Sequence, residues 1–253
     1  MLVLCYGMQK SGSTLAFELV RGVLTSAGYG QDFIRNDIRQ DAANARNYVG
    51  RLSRAKIESL IESIGPKRRI AVKTHAPLPA ALFAWMEELQ AQRAMQVVAS
   101  FRDPRDICLS LLDAAEKSRR TGAKGFVALD NLDDAIAYTA ARTRWFRRWA
   151  ALRGTLRLDY ETVAFAPDNA IAAIEEALNV SCDRAAATRF AFEDALNTKN
   201  RAVPHRHREE LSPEKTAALT RSFRQFIRQA CEKDSQQWYD RERARLLARR
   251  QDD

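Results

Sequence analysis

With 253 residues, 46% of them hydrophobic and 29% charged, the chain can bury a full core and reads most simply as one domain spanning residues 1–253. No apolar stretch approaches the ~20 residues that cross a bilayer, which excludes a membrane-spanning helix. The net charge of +9 calls for an anionic partner, yet the cations are spread over many segments and the aromatic residues do not interleave with them, so nucleic acid is not the expected one.

The apolar run 1–6 predicts a strand, and Gly7-Met8-Gln9-Lys10-Ser11-Gly12-Ser13-Thr14 leads from it into an amphipathic helix over 14–27. A turn that feeds a helix aims unpaired backbone N–H groups at one spot, and the helix dipole adds positive potential there, so this loop wants a phosphate or a sulfate. In a nucleotide triphosphatase loop, G-x-x-x-x-G-K-[ST], the lysine directly follows the second glycine. Here Ser13 stands in that place and the lysine comes earlier, as Lys10.

Segment 31–48 breaks the rhythm, a helix is expected over 52–64, and a β-branched strand over 69–74 ends in Lys73-Thr74-His75-Ala76-Pro77. A helix over 79–94 and a buried strand over 96–101 follow. Arg102 leaves that strand, Asp103 reads as an N-cap with Pro104 at the first helical position, and Ser110 lies two turns into the helix 104–118. That spacing lets Arg102 and Ser110 face one ligand, and an arginine fork grips phosphate oxygens bidentately. Segment 114–130 is a second excursion, followed by a helix over 131–152, a strand over 155–160 ending at Tyr160, and helices over 167–178, 183–195 and 212–230. Both excursions follow motif helices and are read as walls or lids of an acceptor site. The tail 241–250 reads as a basic helical end with a solvated face.

Strands alternating with helices imply an α/β fold, a parallel sheet flanked by helices on both faces, with ligands bound beyond the carboxyl ends of the strands. His75 then projects into the same crevice as Lys10. Cys5, Cys108, Cys182 and Cys231 have no metal-ligand spacing and read as free thiols. Strand residues from the first position give the expectation of no cleavable leader. Together these give the expectation of a cytoplasmic protein.

Lys10-Ser11-Gly12-Ser13-Thr14 resembles the 5′-phosphosulfate loop of sulfotransferases that use 3′-phosphoadenosine 5′-phosphosulfate (PAPS). Lys73-Thr74-His75-Ala76-Pro77 is similar to the K-T-H-x-P segment of the cytosolic type, and Arg102 to Ser110 fills every fixed position of R-x-P-x-D-x-x-x-S, the family's 3′-phosphate motif. The resemblance covers roughly residues 1–112, with a Tyr160-Glu161 echo further on. It implies the P-loop-like sulfotransferase fold and an enzyme that moves a sulfuryl group from PAPS to an acceptor hydroxyl or amine, releasing adenosine 3′,5′-bisphosphate (PAP). It further implies that Lys10 stabilises the leaving phosphate, that His75 is the general base, and that Ser11, Gly12, Ser13, Thr14, Arg102, Ser110 and Tyr160 bind the cofactor with Lys10. Two departures stand out: Leu15 replaces the tryptophan often found after the loop, and no glycine-rich C-terminal segment closes over the 3′-phosphate. The basic segment 199–208 takes its place, with Arg206 and Arg208 as candidates. No metal is expected, because the sulfuryl group carries less charge than a phosphoryl group and no carboxylate precedes Arg102 at its strand end. Two other readings stay open at this level. A P-loop small-molecule or nucleoside kinase needs a lysine after Gly12 and a magnesium carboxylate; a basic nucleic-acid-binding protein needs neither His75 nor the Arg102–Ser110 pairing.

Overall fold

The computed structural model describes residues 1–32, 34, 47–194 and 203–248. Four parallel strands, β1 (Leu2–Gly7), β2 (Ile70–Thr74), β3 (Met95–Phe101) and β4 (Leu156–Asp159), lie in the order β2-β1-β3-β4. The register sets Tyr6 beside Thr74, Gly7 beside Ser100 and Phe101 beside Asp159, so all four carboxyl ends reach one edge of the sheet. β1 is central, with the chain passing to β2 on one side and then to β3 on the other. This is the switch point at which open α/β sheets bind ligands.

The strands are apolar on both faces because helices cover both. Alternation divides the core in two. Leu2, Leu4 and Tyr6 point toward α2 (Arg54–Ile64), α3 (Phe83–Ala91), α4 (Pro104–Thr121) and α5 (Leu132–Ala150). Val3 and Cys5 point toward α1 (Ser13–Ser26) and, beyond it, α7 (Pro167–Leu178) and α8 (Arg184–Arg189). Short α6 (Tyr160–Phe165) and α9 (His207–Glu210), then α10 (Pro213–Phe226) and α11 (Gln236–Ala248), complete the helices of the described residues.

Local chemistry explains where elements start and stop. Asp103 accepts from the Arg105 N–H with Pro104 next, and Asn131 and Asp134 form a reciprocal capping box at α5. The expected strand over 155–160 ends one residue early because the Asp159 carboxylate caps the Thr162 N–H, which makes Tyr160 the first residue of a helix. The expected helix over 79–94 tightens at its start into the 3₁₀ turn Ala80–Leu82. The helices expected over 183–195 and 212–230 widen into π turns at Phe190–Asp194 and Ile227–Cys231.

Helix α4 runs to Thr121, so the first part of the 114–130 excursion is helix, and Arg119 ties the loop behind it through the carbonyls of Val127 and Leu129. Most of the 31–48 excursion lies outside the described residues. Its end is pinned to the sheet by Lys73, whose N–H donates to Asn47 O and whose carbonyl accepts from Val49 N. The tail is less solvated than its charge suggests, since Trp238, Tyr239, Glu242 and Leu246 of α11 are buried and Arg243 pairs with Glu87.

Candidate functional site

The loop between β1 and α1 is built on two glycines. Gly7 faces Ser13 and the Ser100 hydroxyl so closely that a Cβ there would overlap both. Gly12 sits at φ 77°, in the left-handed region, with the Tyr160 ring lying where a Cβ would project. Between them Ser11 turns back on Met8, its hydroxyl donating to Met8 O at 2.6 Å. Lys10 also lies in the left-handed region, at φ 67°, a conformation that costs a non-glycine residue roughly 1–2 kcal/mol. No acidic residue occupies the first turn of α1, so Ser13, Thr14 and the loop N–H groups face the opening uncompensated. Burial lowers the Lys10 pKa; Asp113 opposes that shift, and Lys117, Arg206 and Arg102 add to it.

His75 follows β2 and is half-buried. Its Nδ1 lies 2.6 Å from Gly7 O. A carbonyl only accepts, so Nδ1 carries the hydrogen and Nε2 keeps its lone pair. Burial, and then the charge of Lys73, bring its pKa down to about 4; the Gly7 bond resists, and Arg142 adds to the fall. The imidazole is therefore neutral at physiological pH, in the tautomer a general base requires.

The sequence reading gave Lys73 no role of its own. It is buried on the α1 side of β2, its ammonium donates to Thr14 Oγ1 at 2.8 Å, and burial brings its pKa to about 8, against the pull of Glu18. A lysine inside a strand buried on both faces was a signal in itself. Tyr48 packs its ring 5.7 Å from His75, and Gln9 accepts a hydrogen bond from the Tyr138 hydroxyl of α5.

At the other end of the crevice, Arg102 is 4% exposed and stacks its guanidinium 4.1 Å from the centre of the Tyr160 ring, which in turn covers Gly12. Its Nη2 donates to Val203 O at 3.0 Å and meets Asp106 at 3.3 Å, while its Nε is buried without a partner. Asp106 is wholly buried: Oδ2 faces Arg102, and Oδ1 accepts from both the backbone N–H and Nδ1 of His207, at 2.9 and 2.8 Å. Burial pushes this carboxyl up, and the His207 hydrogen bonds with Arg102 outweigh it to leave the pKa lowered. Ser110 and Asp113 continue the Asp106 stripe along α4 at helical spacing. Ser110 is buried, and Asp113 meets Arg206 at 2.9 Å.

Arg206 is buried and forms a two-pronged pair with Glu210, both bonds 2.7 Å. The Glu210 bond, ahead of the opposing effect of burial, raises its pKa. Arg208 is exposed instead, lining a groove against α10 with Leu211, Thr216 and Thr220. Of the segment 199–208, residues 199–202 lie outside the described residues.

Asp106, Glu161 and His205 bring one ligand atom each within 4.8 Å of one another. Both Asp106 oxygens are engaged, and Arg102 already supplies the positive charge, so the donor set suits a guanidinium better than a metal ion. Burial raises the Glu161 pKa to about 6, and its Oε1 is buried without a partner. Taken together, the structure gathers Lys10, Ser11, Gly12, Ser13, Thr14 and His75 at one end, and Arg102, Ser110, Tyr160 and Arg206 at the other.

No family model matches the sequence, and no curated protein matches it. Solved structures do match the fold. Retinol dehydratase in complex with androsterone and inactive cofactor PAP aligns with a TM-score of 0.54 and 15% identity, over 89% of this chain and 80% of that one. Mouse sulfotransferase SULT7A1 complexed with PAP aligns with a TM-score of 0.57 and 11% identity, over 95% of this chain and 88% of that one. Retinol dehydratase with retinol and PAP gives 0.51 and 17%, over 89% and 81%.

Proposed function

We propose, on a chain that carries the P-loop-like fold of the sulfotransferases, that the protein is a PAPS-dependent sulfotransferase acting on an acceptor hydroxyl or amine. When bound, PAPS supplies a sulfuryl group joined to a 5′-phosphate, a bond that breaks as an acceptor oxygen or nitrogen attacks sulfur. The residues fit such a molecule: an acid-free helix start for the 5′ end, and a stacked arginine with a free buried Nε for a 3′-phosphate.

The observation that carries the reading is the hydrogen bond from His75 Nδ1 to Gly7 O. Gly7 ends β1 and opens the anion loop, so base and phosphate cradle share one peptide. Nε2 of His75 takes the acceptor proton. Lys10 and the loop N–H groups stabilise the negative charge that grows on the departing phosphate. Lys73 holds Thr14 and keeps a cation beneath the loop. Arg102, Ser110 and Tyr160 hold the nucleotide end, and Arg206 lies beside them from the C-terminal segment.

The test is thermal. PAP without metal should raise the melting temperature by mass action, and adenosine 5′-monophosphate should raise it less, for want of the group Arg102 grips. Equal shifts from the two nucleotides, or a larger one from ATP with magnesium, would sink the assignment.

A further inference from the structure

Helix α5 presents Tyr138, Arg142, Trp145 and Trp149 at spacings of four, three and four, which places them along one face. This face is fastened to the catalytic end at three points. The Tyr138 hydroxyl bonds Gln9 of the loop, the Tyr6 hydroxyl of β1 donates to Arg142 O at 3.4 Å, and Trp149 Nε1 donates to Ala76 O at 3.0 Å, one residue after His75. Arg142 therefore lies on the His75 side of the loop, and its charge is felt at His75, Tyr6 and Tyr138.

Arg142 is held by rings and not by a carboxylate among the described residues. Its guanidinium carbon lies 3.4 Å from the centre of the Tyr138 ring and 4.7 Å from that of Trp145. One N–H, on Nη1, reaches Tyr138 O at 3.3 Å, while Nε is buried with no partner. Among the described residues no carboxylate lies within 4.0 Å of it, whereas Arg102 and Arg206 at the opposite end are both paired. The two rings attract the cation and offset part of its loss of water, but they leave the buried Nε without an acceptor, a deficit that an anion would fill. The two rings against it, Tyr138 and Trp145, are half-buried; Tyr138 meets Phe126 edge to face at 5.8 Å, and Tyr48, also half-buried, packs against His75.

We propose that Arg142 is a specificity-determining residue, and that the acceptor is an organic anion whose carboxylate, sulfate or phosphate pairs with its guanidinium while an aromatic or apolar body lies among these rings. The inference rests on the sulfotransferase reading for the word acceptor, but the anion site stands on Arg142 alone. An arginine is suited to it because the planar fork can take two oxygens of one anionic group while its faces stay stacked.

The probe is a matched pair, 4-hydroxyphenylacetate and 4-hydroxyphenylacetamide, alike in shape and different in charge. Each is titrated into the 253-residue chain by calorimetry, with and without saturating PAP, for wild type, Arg142→Gln and Arg142→Lys. The wild type should bind the carboxylate at least about tenfold more tightly than the amide. Arg142→Gln should erase that ratio, and Arg142→Lys should keep part of it. Any turnover of the pair with PAPS should show the same ratio in KM. A wild type that binds both alike, or neither, overturns the anion site, as does an Arg142→Gln protein that keeps the preference. The melting shift given by PAP in the same samples is judged separately. A missing shift sinks the sulfotransferase reading, and the carboxylate-to-amide ratio still decides the role of Arg142.

Discussion

The two ends of the crevice handle charge in opposite ways. At the Lys10–His75 end, among the described residues, no carboxylate forms an ion pair with Lys10, Lys73 or His75: burial lowers the pKa of both lysines against the pull of Asp113 and Glu18, His75 is neutral, and a hydroxyl and a carbonyl hold Lys73 and His75. At the Arg102–Arg206 end the two arginines are already matched to Asp106, Asp113 and Glu210, and Asp106 also binds His207. The first end is preorganised for incoming negative charge. The second is an ion-paired network in which the buried Nε of Arg102 is left without a partner. The difference matters because a cation without a contacting carboxylate is available to a new negative charge, while an ion-paired one secures shape.

The largest expected effect falls at the Lys10–His75 end. His75→Ala should lower transfer roughly 100- to 10,000-fold while PAP still binds close to wild type. In the wild type, the acidic limb of kcat/KM should fall near pH 4 rather than near 6.5, because burial holds the imidazole neutral. Stability follows the same group. With a native pKa below the unfolded one, the unfolded chain binds the extra proton, so stability is complete above about pH 6.5 and drains away as pH falls toward 4. Urea midpoints measured across that window should lose part of this slope in His75→Ala. A wild-type limb at 6.5 would count against the buried imidazole.

A smaller effect is expected at the structural end, and it should fall on the other observable. Asp106→Ala leaves Arg102 buried and unpaired and frees His207, so it should cost about 3–5 kcal/mol of stability. Turnover of whatever remains folded at saturating PAPS should change far less. If Asp106→Ala melts like wild type, the network is decorative, and the contrast between the two ends collapses.

The smallest effect sharpens the comparison within one residue. Lys10→Ala and Lys10→Gly should both lose about 100-fold or more in rate. Only glycine relieves the left-handed backbone, so Lys10→Gly should be up to about 1 kcal/mol more stable than Lys10→Ala by thermal melting. Equal stabilities would mean that the loop relaxes out of that conformation without its lysine.

The division between the ends also tracks what could be read in the sequence. Three strand ends were legible because an apolar run stopped at a residue that breaks its pattern, Gly7, His75 and Arg102, while the fourth was read one residue too far, at Tyr160 in place of Asp159. The pairing of Arg102 with Asp106 was implicit in a four-residue spacing. His207 was not, since its partner lies 101 positions away and only the folded chain joins them. Lys73 was visible as a lysine in a buried strand but had no destination until Thr14 came beside it. Helix α6 escaped notice because Asp159 serves as both strand end and cap. The start of α11, residues 236–240, did too, because Trp238 and Tyr239 stand among polar neighbours with no apolar repeat before them.

Helix α5 acts as a ruler. Its contact with Gln9 at Tyr138 and its contact with Ala76 at Trp149 are eleven residues apart, about three full turns and about 16 Å along the axis. Because the number of turns is nearly whole, both contacts fall on one side of the helix, and the loop after β1 and the loop after β2 are held at a fixed span by a single rigid rod. One residue inserted between them would rotate one contact by about 100° against the other. This interval therefore tolerates changes of side chain far better than changes of length.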